Sequence, residues 1–354
     1  MADISQQLQE QVLQARNAGH KLNIVGGGTK AFMGRTADPD AGTLDVAGHS
    51  GIVDYHPVEL VLTVRAGTTL TEIEAILAEE GQVLHFEPPH FGDGATIGGT
   101  LACNLSGPGR PWAGSVRDQV LGVRLINGKG EHLRFGGQVM KNVAGYDVSR
   151  LQAGALGTLG VMTEISMKVV PKPAATLTLV QDMAMEDVIH YMNSRAAEPK
   201  PITAACWHDG KVYLRLSGAR SAVEATAEKW SGEVMESGEH FWRQIQDMQH
   251  DFFTGDDPLW RFSIGSTAVT PALEGPWLID WAGSQRWYRG AGEIRKMEAL
   301  AKAAGGQVSL FRGGDREGEV MHHLPEALRG IQRRVKNSFD PDGIFNPGRL
   351  YSWL

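Results

Sequence analysis

The chain has 354 residues, 42% of them hydrophobic and 21% charged, with a net charge of −7. That length exceeds one ordinary core and predicts two domains with a returning C-terminus. The composition excludes disorder, and an acidic balance without any Lys/Arg run excludes a nucleic-acid surface, which needs a basic patch to displace counterions. The opening MADISQQLQEQVLQARNAGHK lacks the apolar stretch of a signal peptide, and no later window approaches about eighteen uninterrupted apolar residues, so a cytoplasmic protein is expected. Cys103 and Cys206 are the only cysteines, too few for a disulfide framework or for an iron–sulfur cluster held by four cysteines of this chain.

Ile4, Leu8, Val12 and Ala15 recur at helical spacing before Gly19, which predicts a helix over 3–18. A strand over Leu22–Val25 then runs into Gly26-Gly27-Gly28-Thr29-Lys30, a turn with a hydroxyl and an ammonium at its exit that suits a diphosphate. It is no Rossmann fingerprint, because Asp38, Pro39, Asp40 and Gly42 break the helix that such a fingerprint must open. Leu60–Val64 reads as a buried strand. A helix follows with Thr69 and Glu72, or Thr71 and Glu74, as its capping box and Leu70, Ile73, Ile76 and Leu77 as its apolar face, ending at Gly81.

Phe91 to Asp118 reads as a long ligand-binding loop, with glycine at 92, 94, 98, 99, 107, 109 and 114 and with Ile97, Leu101, Cys103 and Leu105 keeping it apolar. His85 and His90 flank its approach and read as structural. Val120–Asn127 and Glu131–Phe135 make a hairpin around Gly128-Lys129-Gly130. Lys141-Asn142-Val143-Ala144-Gly145-Tyr146-Asp147 opens a helical segment to Ala153, and Gly157-Thr158-Leu159-Gly160 leads into a strand from Val161 to Val170. Glycines after a helix and before a strand reverse the Rossmann order and suit a loop over the adenine end of a different dinucleotide fold.

With Gly26–Lys30, Gly94-Ala95-Thr96-Ile97-Gly98-Gly99, Ser115-Val116-Arg117-Asp118 and Gly157-Thr158-Leu159-Gly160-Val161 in order, the N-terminal part resembles the FAD-binding domain of the PCMH or vanillyl-alcohol oxidase type. Adding Lys141–Asp147 and the terminal Phe339-Asp340-Pro341 and Phe345-Asn346-Pro347-Gly348-Arg349, nearly the whole chain resembles the E-subunit family of bacterial glycolate oxidase, or glycolate dehydrogenase. The resemblance implies an α+β protein with noncovalent FAD held by those four glycine-bearing blocks. It also implies that the C-terminal piece returns to the flavin domain, with Asn346 and Arg349 near the cofactor.

Paired Pro171 and Pro173 mark a boundary. We expect a PCMH-type FAD-binding domain over 1–173, a cap domain over 174–325 formed by an antiparallel sheet with helices on one face, and a C-terminal segment over 326–354. Seven of the nine tryptophans fall in the cap and read as core, with a partner surface as the alternative.

Within the family, the implied activity is oxidation of glycolate to glyoxylate with electrons passed on to an iron–sulfur partner. The alternative is a non-catalytic electron-transfer or assembly subunit whose D-type partner oxidises the acid. A carboxylate clamp calls for an arginine fork, and Arg312 and Arg110 are the candidates for it. His322 and His323 point apart on any regular element and have no second cluster, so no metal site is expected. The related D subunits and D-lactate dehydrogenases carry a His- and Glu-rich metal motif that finds no match here. Partners are then a larger FAD-binding D-type subunit and a cysteine-rich iron–sulfur subunit, the assembly being peripheral to the inner face of the cytoplasmic membrane.

Overall fold

The structure is a computed structural model that describes residues 3–137 and 146–354; Lys141–Gly145 of the expected helical segment lie outside the described residues. The first helix, Ser5–Ala18, buries Leu8, Val12 and Ala15 and ends at Gly19, whose φ of 68° only glycine adopts without strain. Thr69 caps the helix Leu70–Glu79 by accepting a hydrogen bond from the Glu72 amide at 3.2 Å.

The N-terminal core is built on a five-stranded antiparallel sheet in the order Ile52–His56, Val61–Arg65, Val161–Lys168, Val120–Ile126, His132–Gly136. A separate parallel pair joins Leu22–Val25 to Gly42–Asp45. The two share one apolar core with the helices Ser5–Ala18 and Leu70–Glu79, and Ile344 and Phe345 from the far end of the chain are part of it.

The second core lies on an eight-stranded antiparallel sheet that includes Ala175–Asp182, Ile202–His208, Lys211–Gly218, Leu259–Ser263, Trp277–Asp280, Gln285–Arg289 and Gln307–Arg312. Strand alternation sends Ala205, Trp207, Ile279 and Tyr288 to a face covered by the helices Met185–Ala197, Arg220–Lys229 and Ile294–Ala303. The alternate residues Ala204, Cys206, Leu278, Trp287 and Phe311 pack with the helix Gly238–Gln246 and with Met33 and Leu105 of the N-terminal part. Helices therefore cover more than one face, and the second face meets the N-terminal part. The seven cap tryptophans are all buried, which removes them as a docking surface.

The stretch 91–118 is not the loop its glycines suggest. It contains the helix Ile97–Cys103 and single turns at Arg110–Ala113 and Val116–Gln119. Thr96 caps the first by accepting from the Gly99 amide at 3.2 Å, and a side chain on Gly98 would meet the Ala66 carbonyl at 2.8 Å. Among the described residues no helix is long and apolar enough to cross a membrane.

Candidate cofactor site

The strand Leu22–Val25 is short, and its position depends on both neighbours. On one edge it pairs with Gly42–Asp45; at its other edge Leu22 forms a parallel bridge with Phe345. Asn346 fixes that return. Its side chain accepts from the Ile24 amide at 2.7 Å and donates to the Leu156 carbonyl at 2.6 Å, while its backbone sits at a left-handed φ of 44°. Asparagine tolerates that conformation better than most residues and supplies both a donor and an acceptor.

Beyond Val25 the backbone of Gly27 lies against Gly94, so closely that a Cβ on Gly27 would sit 1.5 Å from the Gly94 carbonyl oxygen. Gly28 differs: at φ 70° a Cβ there would meet nothing within 4 Å. Between these loops, the start of the helix Ile97–Cys103, the turn Leu156–Gly160 and the C-terminal return lies a cavity of about 420 Å³.

Four cations, Lys30, Arg35, Arg316 and Arg349, line this cavity, and among its described lining residues there is no carboxylate. The arginines are committed to main-chain carbonyls. Arg35 donates to Gly348 at 2.8 Å and to Gly318 at 3.0 Å, Arg316 to Gly34 at 2.9 Å, and Arg349 to Ala31 and Arg35. Lys30 is 8% exposed and its Nζ has no hydrogen-bond partner, the Phe91 ring centroid lying 5.7 Å away. Burial lowers its pKa, with Cys103 and Asp247 opposing that shift. A buried ammonium without a partner is costly and calls for an anion. Cys103 also lines the cavity, its thiol pushed up to about 11 by burial despite Lys30 and Arg349. Bare main chain at Gly28, an orphaned ammonium and a largely apolar remainder together suit a dinucleotide with a pyrophosphate at its centre.

A family model described as an FAD binding domain matches residues 2–136. Glycolate oxidase subunit GlcE of Escherichia coli (strain K12) is 46% identical over 352 residues, covering 99% of both chains. This chain belongs to the GlcE family of glycolate oxidase subunits. Its cofactor is FAD, and it is an oxidoreductase flavoprotein of the PCMH type. Glycolate oxidase subunit GlcD of Bacillus subtilis (strain 168) is 35% identical over 46% of this chain and 34% of its own length. D-lactate dehydrogenase of Archaeoglobus fulgidus is 24% identical over 80% of this chain and 76% of its own. The solved alkyldihydroxyacetonephosphate synthase superposes with a TM-score of 0.68 at 16% identity, covering 97% of this chain and 74% of that one, a likeness of fold alone.

Of the residues picked out in the sequence, Gly26–Lys30, Thr96, Gly98, Gly99, Gly157, Gly160 and Asn346 line the cavity. Gly94 stands behind Gly27, and Ala95, Ile97 and Val161 are in the core. Ser115, Val116, Arg117 and Asp118 do not line the cavity. Ser115 donates from its amide and its hydroxyl to Asp118, each at 2.8 Å, closing a capping box, and Val116 is buried.

The two arginine candidates are engaged elsewhere. Arg312 donates to the Phe253 carbonyl, and the Arg110 guanidinium lies over the Trp281 ring at 4.6 Å. Neither lines the cofactor cavity; Arg316, four residues beyond Arg312, does. His90 bonds Glu74 at 3.1 Å, away from the cavity. Arg35 went unnoticed in the sequence, and the only signal for it was its place five residues past Lys30.

Proposed function

We propose that this chain is the FAD-carrying E-type subunit of a glycolate oxidase (glycolate dehydrogenase) complex. It works with a larger D-type flavin subunit and a cysteine-rich iron–sulfur subunit to which electrons are handed on. The complex acts in the cytoplasm, peripheral to the inner face of the membrane. The observation that carries this reading is the orphaned Lys30 ammonium at the mouth of bare glycine backbone, within a cavity lined by cations. Bound FAD supplies a two-electron acceptor for oxidation of glycolate to glyoxylate.

The residues have separable tasks. Gly26–Thr29 and Lys30 hold the pyrophosphate, and Leu156, Gly157, Gly160 and Asn346 bound the cavity from the C-terminal side. Binding is noncovalent, because no histidine lines the cavity among the described residues and its one cysteine is held as a neutral thiol.

A second reading has its own support. With Arg312 and Arg110 both engaged elsewhere, the carboxylate clamps expected of a dehydrogenase do not reach the cofactor cavity, which favours an electron-transfer or assembly subunit beside a catalytic D-type partner. Anaerobic addition of glycolate to the isolated, FAD-loaded chain separates the two: bleaching of the flavin absorbance supports oxidation here, and an unchanged spectrum supports the second reading.

The shared premise is tested by replacing Gly27 with Ala and Lys30 with Met. The first puts a methyl group into the Gly94 carbonyl and should abolish flavin retention; the second should weaken FAD binding by about tenfold or more. Full flavin occupancy in both soluble variants would overturn the site assignment, and colour retained by acid-precipitated protein would overturn the noncovalent part.

A further inference from the structure

The last helix, Glu326–Phe339, lies almost wholly outside the protein's cores, and Lys336 is its one buried residue. Leu328, Ile331 and Val335, spaced by three and four, fall on one side of it. Leu328 is 46% and Ile331 47% exposed, and among the described residues none of the three joins an apolar core. An aliphatic stripe left on a surface helix marks a contact that the folded chain does not itself make.

The charge on this helix runs against that of the chain. It carries Arg329, Arg333, Arg334 and Lys336 against one carboxylate, Glu326, in a protein whose net charge is −7. Lys336 is used within the fold, whereas Arg334 is exposed. Arg329 and Arg333 stand over the Trp353 ring at 5.0 and 5.2 Å, and Tyr351 stacks with that ring at 5.1 Å. Trp353 is only half-buried. The tail that bears it is fixed: the Tyr351 hydroxyl donates to the His322 carbonyl at 3.1 Å and the Gly348 amide to the Leu354 carbonyl at 2.9 Å. Gly348 in turn accepts from Arg35, which lines the cofactor cavity.

We propose that the helix Glu326–Phe339 and the tail Tyr351–Leu354 form a docking surface for an acidic protein partner, one that sets carboxylates around an apolar centre. Charge complementarity selects that occupant. Arginine and tryptophan are enriched at interface hot spots, and an arginine can pair its planar fork with a carboxylate while its face stacks on an aromatic ring. A second copy of this chain fits poorly, because two-fold pairing through the face sets one cationic patch against another. A membrane fits poorly too, since two half-exposed aliphatic side chains are too few to hold a net-acidic chain on a bilayer. Docking here puts the partner beside the Gly348–Arg35 contact, at the wall of the cofactor cavity. That the partner is a subunit of the glycolate oxidase complex rests on the function proposed above.

The test is biolayer interferometry of the FAD-loaded chain against the D-type and iron–sulfur subunits produced together. Wild type should bind, and more weakly as salt rises. Ile331→Glu and Arg334→Glu should each weaken binding by about tenfold or more, with FAD content and the circular-dichroism spectrum unchanged. Val269→Glu, which puts the same carboxylate on a cap residue that is 86% exposed, should bind as wild type does. If Ile331→Glu does not fold, Arg334→Glu decides the matter. Equal binding by the folded variants, or equal loss in Val269→Glu, overturns the docking surface and leaves the function proposed above standing. A wild type that binds neither subunit overturns that function and this partner together. Should the two variants instead abolish a dimer of the chain alone, or its binding to phosphatidylglycerol vesicles, the face belongs to a second copy or to a membrane, and the proposal is overturned.

Discussion

Asp280→Asn should change how stability depends on pH. The Asp280 carboxylate is 3% exposed and its pKa is raised from 3.8 to about 7, by burial first, with Glu87 adding to the shift and the Trp281 amide, Gln285 and Arg215 opposing it. Between those two values the folded protein holds a proton that the unfolded chain has released, so Asp280 removes stability progressively as pH rises from about 4 to 7. A gap of about three pH units corresponds to on the order of 4 kcal/mol.

Asparagine cannot titrate, but its amide would face the Gln285 Nε2 donor, at a pH-independent cost of about 1 kcal/mol. The variant should therefore be slightly less stable than wild type at pH 4 and clearly more stable at pH 8. Urea unfolding followed by the fluorescence of the buried cap tryptophans, repeated across that range, measures the difference. Two stability curves that stay parallel from pH 4 to pH 8 would refute the raised pKa and the reasoning from burial behind it.

Lys336 donates to the Thr158 carbonyl at 2.7 Å, to Asp340 at 2.7 Å and to the Phe345 carbonyl at 2.9 Å, so Lys336→Met leaves a buried carboxylate uncompensated and should destabilise the protein by about 3 kcal/mol or more. The same variant should release FAD faster in a dilution assay, because Thr158 and Phe345 flank the wall of the cofactor cavity; an unchanged release rate would separate the C-terminal return from cofactor retention. Cys103 should react slowly with iodoacetamide at neutral pH in protein stripped of FAD, the rate rising about tenfold per pH unit toward 11. Mass spectrometry would detect the adduct, and a rate that levels off below pH 9 would contradict a thiol raised to about 11.

Local chemistry made much of the fold legible. Gly19 and the Thr69 cap mark helix ends through interactions within a few residues, and the hairpin around Gly128–Gly130 follows from its own composition. The helix Ile97–Cys103 was hidden because Gly98 and Gly99 read as loop residues. Gly98 is required there by the close approach of Ala66, a residue from another segment that no local pattern announces. The same limit applies to the cavity. Gly26–Lys30 could be seen as a run, whereas Arg35 and Arg316 reach it through carbonyls of Gly348 and Gly34, each pair separated by well over 250 residues. Arginines of this kind look ordinary in a sequence because their partners are main-chain atoms, which carry no residue signature.

The bond from the Ile24 amide to Asn346 spans 322 positions. A wall of the cofactor cavity is thus supplied by residues far downstream of the glycine turn, and without Asn346 and Arg349 the turn remains but the enclosure is lost. Removing these residues by truncation should therefore lower flavin retention, read as absorbance per mole of protein. Closing so long a loop adds only about 0.6 kcal/mol for each doubling of its length. Joining these distant segments is therefore an inexpensive way to make flavin content depend on the fold between them.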